Sequence, residues 1–334
     1  MNKIKDIINK LYKLEDLTIN ESKFIFNEIL SGNVSDIYIS SFLTALKIKG
    51  ESFNEILGAT EIMREKSKKI LSPIKTVDTC GTGGDMKGTL NISTASALVA
   101  ACAGANIAKH GNRSVSSNSG SADVLEKLNI NIDLKISKAE QCLKENKFCF
   151  MFAPNFHNAM KFVGPVRKEL STRTIFNLLG PLLNPANAKR QILGVYDKKW
   201  NSIHSEVLKH LGSEHVLVVS GFDGLDEISL SSSTYISELK DNKIIDYIFN
   251  PKDIGYSLIK IDEIMGGDAD YNAKEIINML NGKNLSFQKI VEINAGAAIY
   301  VSGIANNIKE GALIANKIIT ENKVMNYIEK LTKY

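Results

Sequence analysis

Apolar residues at Ile4, Ile7, Ile8, Leu11 and Tyr12 recur at the i, i+3, i+4, i+7 spacing of a single helix face. Thr18 followed by Glu21 has the form of a capping box for a second helix carrying Phe24, Ile25 and Ile29. Ser35 can cap a third that runs to Gly50, a natural C-terminal stop. A fourth runs from Glu51 to about Ile70 and ends in lysines, which suit the negative end of the helix dipole. No strand pattern precedes Pro73. Residues 1–72 therefore predict a small all-helical domain.

From Lys75 the pattern changes to short apolar runs alternating with helical stretches. Thr76–Asp78, Asn106–Lys109, Phe148–Phe152, Ile192–Tyr196 and Val216–Ser220 read as strands. Helices fit between them at about Ser93–Ala103, Ser121–Leu128, Ser137–Asn146 and Lys199–Leu211. Such alternation predicts an α/β domain over 73–334, built on a mostly parallel central sheet with both faces covered. Pro154, Pro165, Pro181 and Pro185 crowd a region that also holds a helical pattern, His157 to Leu170. That region, about 156–188, reads as a helical crossing that joins the first domain. From about Asn272 to Tyr334 the chain is again helix-rich, and no internal repeat appears.

Composition narrows the function classes. The 334 residues are 44% hydrophobic and 23% charged, as expected for a globular protein with a large core. The net charge of +4 is too small to argue for nucleic acid. The longest apolar run, Ala97–Ala105, falls far short of the ~20 residues of a membrane helix. The opening MNKIKDIINKLYKL lacks a signal peptide's apolar core. Cys80, Cys102, Cys142 and Cys149 show neither CxxC spacing nor a zinc pattern, so free thiols in a reducing, cytoplasmic setting are expected.

Candidate chemistry lies at the presumed strand ends. Asp78-Thr-Cys-Gly-Thr-Gly-Gly-Asp85 places Gly81, Gly83 and Gly84 just after a strand, where glycine allows positive φ and close approach of a ligand. It is neither a dinucleotide motif, since Met86 stands where glycine is needed, nor a Walker A, since Thr89 follows Gly88 in place of lysine. A tight turn and a ligand loop both fit this run alone. Asn91-Ile92-Ser93-Thr94 opens an apolar helix, and free N–H groups there favour either simple capping or a phosphate. Lys109-His-Gly-Asn-Arg-Ser-Val-Ser-Ser117 gathers two cations, an amide and three hydroxyls at the next strand end. Together these suit a polyphosphate. Asp226 and Glu227 follow another buried strand. They complement such a site, because magnesium takes one or two carboxylates plus substrate phosphates.

In this order and combination, with Arg167-Lys-Glu-Leu and Arg173-Thr-Ile-Phe-Asn-Leu-Leu-Gly-Pro-Leu-Leu-Asn-Pro185, the chain resembles the anthranilate phosphoribosyltransferases nearly end to end. The resemblance implies an α/β domain of the nucleoside-phosphorylase type, a helical domain that forms a homodimer, and magnesium dependence with two ions per subunit. It implies transfer of a phosphoribosyl group from phosphoribosyl pyrophosphate to anthranilate, a step of tryptophan biosynthesis. By position, Gly81, Gly84, Asp85, Thr89, Asn91, Ile92, Ser93, Thr94, Lys109, Asn112, Arg113, Ser116, Ser117 and Ser121 correspond to phosphoribosyl pyrophosphate ligands. Gly81, His110, Asn112 and Arg167 correspond to anthranilate contacts, and Ser93, Asp226 and Glu227 to magnesium ligands. The resemblance departs at His157-Asn-Ala-Met160-Lys-Phe162, where relatives often carry a proline after the histidine and a second histidine in place of Phe162.

Two other readings share parts of this pattern. A pyrimidine nucleoside phosphorylase would use the fold without a magnesium-bound pyrophosphate site. A non-catalytic nucleic-acid-binding relative would need a broad basic surface, to which the near-balanced charge lends little. Neither a nucleic-acid partner nor a membrane is expected.

Overall fold

The computed structural model describes residues 2–72, 74–114 and 119–334. They form two compact units, one of residues 1–68 with 154–185 and the other of residues 69–153 with 186–334. The excursion back into the first unit thus opens at Pro154 and closes at Pro185, slightly earlier at both ends than the expected crossing over about 156–188.

The first unit is all helical. Asn2–Tyr12 buries Ile4, Ile7, Ile8 and Leu11, the predicted face without Tyr12, which is exposed. Ile19–Leu30 starts on the expected box: Thr18 Oγ1 accepts the Glu21 N–H, and the Glu21 carboxylate accepts the Thr18 N–H at 2.8 Å. Asp36–Lys49 ends at Gly50, whose φ of 88° suits glycine. The fourth helix begins later than expected, at Phe53, because Ser52 rather than Glu51 is its cap. Glu55 closes that box at 2.7 Å and stays buried by accepting the Leu17 N–H and pairing with Lys49. The expected His157–Leu170 helix is broken into a 3-10 turn, Asn158–Phe162, and a helix, Gly164–Leu170, with Pro165 in its first turn. Phe26 joins the unit's core edge-on to both Phe42 and Phe176.

The second unit is built on a seven-stranded sheet: β1 (Val77–Thr79), β2 (Ile107–Gly111), β3 (Phe148–Phe152), β4 (Arg190–Gly194), β5 (His215–Gly221), β6 (Thr234–Lys240) and β7 (Lys243–Phe249). Their order is β3-β2-β1-β4-β5-β6-β7. The first five are parallel, and β6 and β7 are antiparallel additions at one edge. Buried Val216–Val219 on β5 form a continuous apolar run, as a strand covered on both faces requires. Helix Ile92–Cys102 is almost wholly buried and packs against Leu285–Ser302, which explains why both lack a polar stripe.

After β1 the chain builds β2 and β3 to one side and then returns to lay β4 on the other. The switch falls between β1 and β4, whose register pairs Thr79 with Ile192. In open sheets of this kind, the crevice beyond the carboxyl ends of the two strands at the switch is where ligands bind.

Candidate active site

Beyond the ends of β1, β4 and β5, a small cleft is lined by Thr79, Gly81, Ser93, Gly194, Glu227 and Asn294. The glycine run forms one wall. Gly83 and Gly84 have φ of 64° and 76°, the left-handed turn for which glycine is suited, and Met86 adopts φ of 59° without being glycine. Met86 is 90% exposed. At Gly81 a Cβ would stand 2.8 Å from Asp226 Oδ2, so the loop and the acidic turn touch only because the side chain is absent.

The acidic turn after β5 is tied directly to that loop. Asp226 Oδ2 accepts the Gly83 N–H at 2.8 Å, and Glu227 Oε1 accepts the Ser93 N–H at 3.0 Å. Both carboxyls are pushed well above the ordinary carboxylate range, chiefly by desolvation in their partly buried turn. The neighbouring Asp85 raises Asp226 further, and Asp226 raises Glu227. Lys109 works the other way on Glu227. Two adjacent acids in such a turn can be neutralised by protons or by a bound cation.

Helix Ile92–Cys102 presents its first turn to the cleft. Thr94 Oγ1 and Thr82 Oγ1 are buried with no hydrogen-bond partner among the described residues, and a phosphate oxygen accepts from such hydroxyls. Asn91 is the cap residue, yet its side chain makes no cap bond to its own helix. Ile92 is 1% exposed and its N–H bonds the Leu90 carbonyl, so its side chain serves the core. Thr89 lies in an isolated antiparallel bridge with Met265.

At the end of β2, Lys109 is 1% exposed and turns inward, donating to the carbonyl and hydroxyl oxygens of Thr79. The His110 N–H donates to Asp78 Oδ1 at 3.1 Å, which locks β2 to β1 beside the glycine run. Asn112 Oδ1 accepts the Arg113 N–H. Arg113 is paired with Asp123 at 2.9 Å and with Glu126 at 2.5 and 2.7 Å, rather than pointing toward a phosphate. Ser121 opens the helix Ser121–Lys127 that carries those acids. Ser116 and Ser117 lie outside the described residues.

Arg167 belongs to the helical unit. Its guanidinium lies 5.3 Å over the Phe176 ring, and no carboxylate pairs with it among the described residues. An ion pair with Glu169 on the same helix does not form. Phe162 packs its ring on Gly32, where a Cβ would stand 2.8 Å from it, and Lys161 lies over the same ring.

Several supporting residues carry no sequence signal of their own. Asn294, on helix Leu285–Ser302, accepts the Ile228 N–H and donates to the Ile228 carbonyl, both at 2.9 Å, clamping the peptide next to Glu227. Asp223 accepts from the hydroxyls of Ser229 and Ser231 and shapes the rest of that turn. The four thiols are free, and Cys80 beside Gly81 is kept protonated by burial. No helix of the described residues is long and apolar enough to cross a membrane.

The donor set fits magnesium. Asp226, Glu227 and the Ser93 hydroxyl offer oxygen ligands only, as a hard cation requires. Among the described residues no group of three or more His, Cys, Asp or Glu is placed to hold a metal ion.

The chain is similar to known proteins over nearly its whole length. Residues 74–324 match the model of the glycosyl transferase family α/β domain, and residues 5–67 match the helical bundle domain of the same family. The chain is 49% identical over 320 residues to the anthranilate phosphoribosyltransferase of Marinomonas sp. strain MWYL1, covering 95% of this chain and 92% of that one. The crystal structure of the Thermus thermophilus enzyme superposes with a TM-score of 0.91 at 35% identity, covering 98% of each chain. The Saccharomyces cerevisiae enzyme in complex with phosphoribosyl pyrophosphate and magnesium superposes with a TM-score of 0.89 at 27% identity, covering 99% of this chain and 97% of that one. The yeast enzyme is also known in complex with 4-fluoroanthranilate, at 25% identity and a TM-score of 0.87, over 99% of this chain and 98% of that one. This chain belongs to the anthranilate phosphoribosyltransferase family.

Proposed function

We infer that this chain transfers the phosphoribosyl group of 5-phosphoribosyl 1-pyrophosphate to the amine of anthranilate. The products are N-(5-phosphoribosyl)anthranilate and pyrophosphate. The observation that carries the reading is the junction of the glycine loop with Asp226 and Glu227 at the β1/β4 switch, where backbone amides, unpartnered hydroxyls and partly buried acids converge. A nucleoside and inorganic phosphate would need no such paired acids.

The reaction forms a bond from the amine nitrogen to ribose C1 and breaks the bond from C1 to the pyrophosphate oxygen. Charge builds on the departing pyrophosphate and on the ribose ring, and the proton lost from nitrogen passes to solvent. The aromatic amine is neutral at pH 7, so no strong base is needed, and positioning with charge stabilisation supplies the rate. The loop at Gly81–Asp85 with the helix start at Ser93 and Thr94 cradles the phosphates. His110, Asn112 and Gly81 border anthranilate, and Arg167 receives its carboxylate as a charge-assisted partner. Asp226, Glu227 and Ser93 would hold magnesium, two ions per subunit. The metal supplies neutralisation of the leaving group's charge. The enzyme works in the cytoplasm as a homodimer through its helical unit.

A melting experiment tests the binding half of this reading. Phosphoribosyl pyrophosphate with magnesium should raise Tm as ligand linkage requires, and uridine with inorganic phosphate should not. The reverse pattern would favour the phosphorylase.

A further inference from the structure

Residues 264–272 return to the glycine loop from nearly two hundred residues downstream. The Leu90 N–H donates to the Ile264 carbonyl at 2.9 Å, and the Gly266 N–H to the Gly88 carbonyl at 2.8 Å. Between them, Thr89 and Met265 complete a short antiparallel bridge. A Cβ on Gly266 would stand 2.6 Å from the Thr89 carbonyl oxygen, so backbone meets backbone and only glycine fits.

Asn272 extends this strap into the cleft wall. It is 2% exposed, on helix Ala269–Leu280. Its Nδ2 donates to Asn91 Oδ1 at 2.8 Å, and its Oδ1 accepts the Gly267 N–H at 2.7 Å. Asn91 passes the chain on by donating to the Ser119 carbonyl at 3.3 Å. Asn91 is thereby held from outside its helix, which accounts for the missing cap bond. The relay runs from Gly267 through two asparagines to Ser119, joining three segments around the start of helix Ile92–Cys102. Taking out Asn272 would leave the Gly267 N–H and the Asn91 Oδ1 without these part-buried partners.

We propose that the strap Ile264–Gly267 together with Asn272 is a positioning element for phosphoribosyl pyrophosphate, acting through Asn91 on the exit of the glycine loop. This rests on the function inferred above. Asn272 does not touch substrate. It fixes the orientation of the Asn91 amide and hence the approach to Ser93 and Thr94.

The test is a double-mutant cycle on steady-state kinetics. Asn272→Ala should raise KM for phosphoribosyl pyrophosphate by about tenfold, the cost of two lost hydrogen bonds, and leave KM for anthranilate within about twofold. Asn91→Ala should do the same, and the double variant should be no worse than Asn91→Ala alone. Multiplying effects, or equal rises in both KM values, would overturn the proposal. Asn272→Asp gives a second cycle if the alanine variant does not fold. It keeps the acceptor for the Gly267 N–H and removes the donor to Asn91. The direct effect of its charge on the phosphates is present in both backgrounds and cancels, leaving only its coupling to Asn91. A wild-type enzyme that ignores phosphoribosyl pyrophosphate would defeat the functional reading. A normal wild type whose Asn272 variants keep their KM would defeat only this inference.

Discussion

Asp226 Oδ2 accepts the backbone N–H of Gly83 at 2.8 Å, a bond that spans 143 residues of chain and joins the acidic turn after β5 to the glycine loop after β1. The glycine loop and the acidic turn are thus joined as one structure. Substitutions in either part should be felt in the other.

The first prediction concerns these acids. Asp226→Asn with Glu227→Gln keeps side-chain size and removes two charges. Turnover should fall by orders of magnitude, and the rise in Tm caused by magnesium with phosphoribosyl pyrophosphate should disappear. The ligand-free variant should be at least as stable as wild type, because two acids disfavoured by burial are gone. Unchanged activity across a magnesium titration would remove both residues from the site.

The same pair sets a pH dependence. Folding raises both pKa values, so the folded state holds more protons than the unfolded chain. Their contribution to stability is therefore fully present below the ordinary carboxylate pKa and is lost as pH rises through the raised values. The Tm difference between the amide variant and wild type, both without ligand, should widen in favour of the variant from pH 5 to pH 9. A flat difference would show that the two acids titrate normally.

Arg113 is held by Asp123 and Glu126 in this structure and must exchange those partners to reach a phosphate. Glu126→Gln loosens that hold. It should lower KM for phosphoribosyl pyrophosphate by a few-fold at most, since exposed ion pairs are weak, and the effect should shrink in high salt. A rise in KM would mean that the pair orients Arg113 for binding instead.

Arg167 lacks a carboxylate partner among the described residues and stacks on Phe176. Arg167→Ala should raise KM for anthranilate by roughly tenfold or more, as loss of a charge-assisted bond implies, and leave KM for phosphoribosyl pyrophosphate nearly unchanged. Equal shifts in both constants would assign Arg167 a packing role.

Sequence patterning captured the helical face of Asn2–Tyr12, the Thr18 box, the five parallel strands and the helix starting near Ser93, each to within a few residues. Those features are local, written in 3.6-residue periodicity, capping chemistry or short apolar runs. The edge hairpin was missed, although Asp241 and Asn242 at φ of 50° and 60° form the two-residue turn that such a hairpin favours. Its β7 exposes Ile245 and Ile248, so alternation there is a poor guide to burial. The chemistry-bearing clusters were legible as isolated motifs. Their supports, Asn294 clamping Ile228 and Asn272 holding Asn91, depend on contacts that no local window contains. The inward turn of Lys109 and the pairing of Arg113 likewise belong to tertiary structure.

The central claim is tested most directly by mixing the protein with anthranilate, phosphoribosyl pyrophosphate and magnesium and following anthranilate fluorescence. Fluorescence should decay only when all three are present, with one pyrophosphate released per anthranilate consumed. Constant fluorescence in the complete mixture, with a folded enzyme and fresh phosphoribosyl pyrophosphate, would contradict the account.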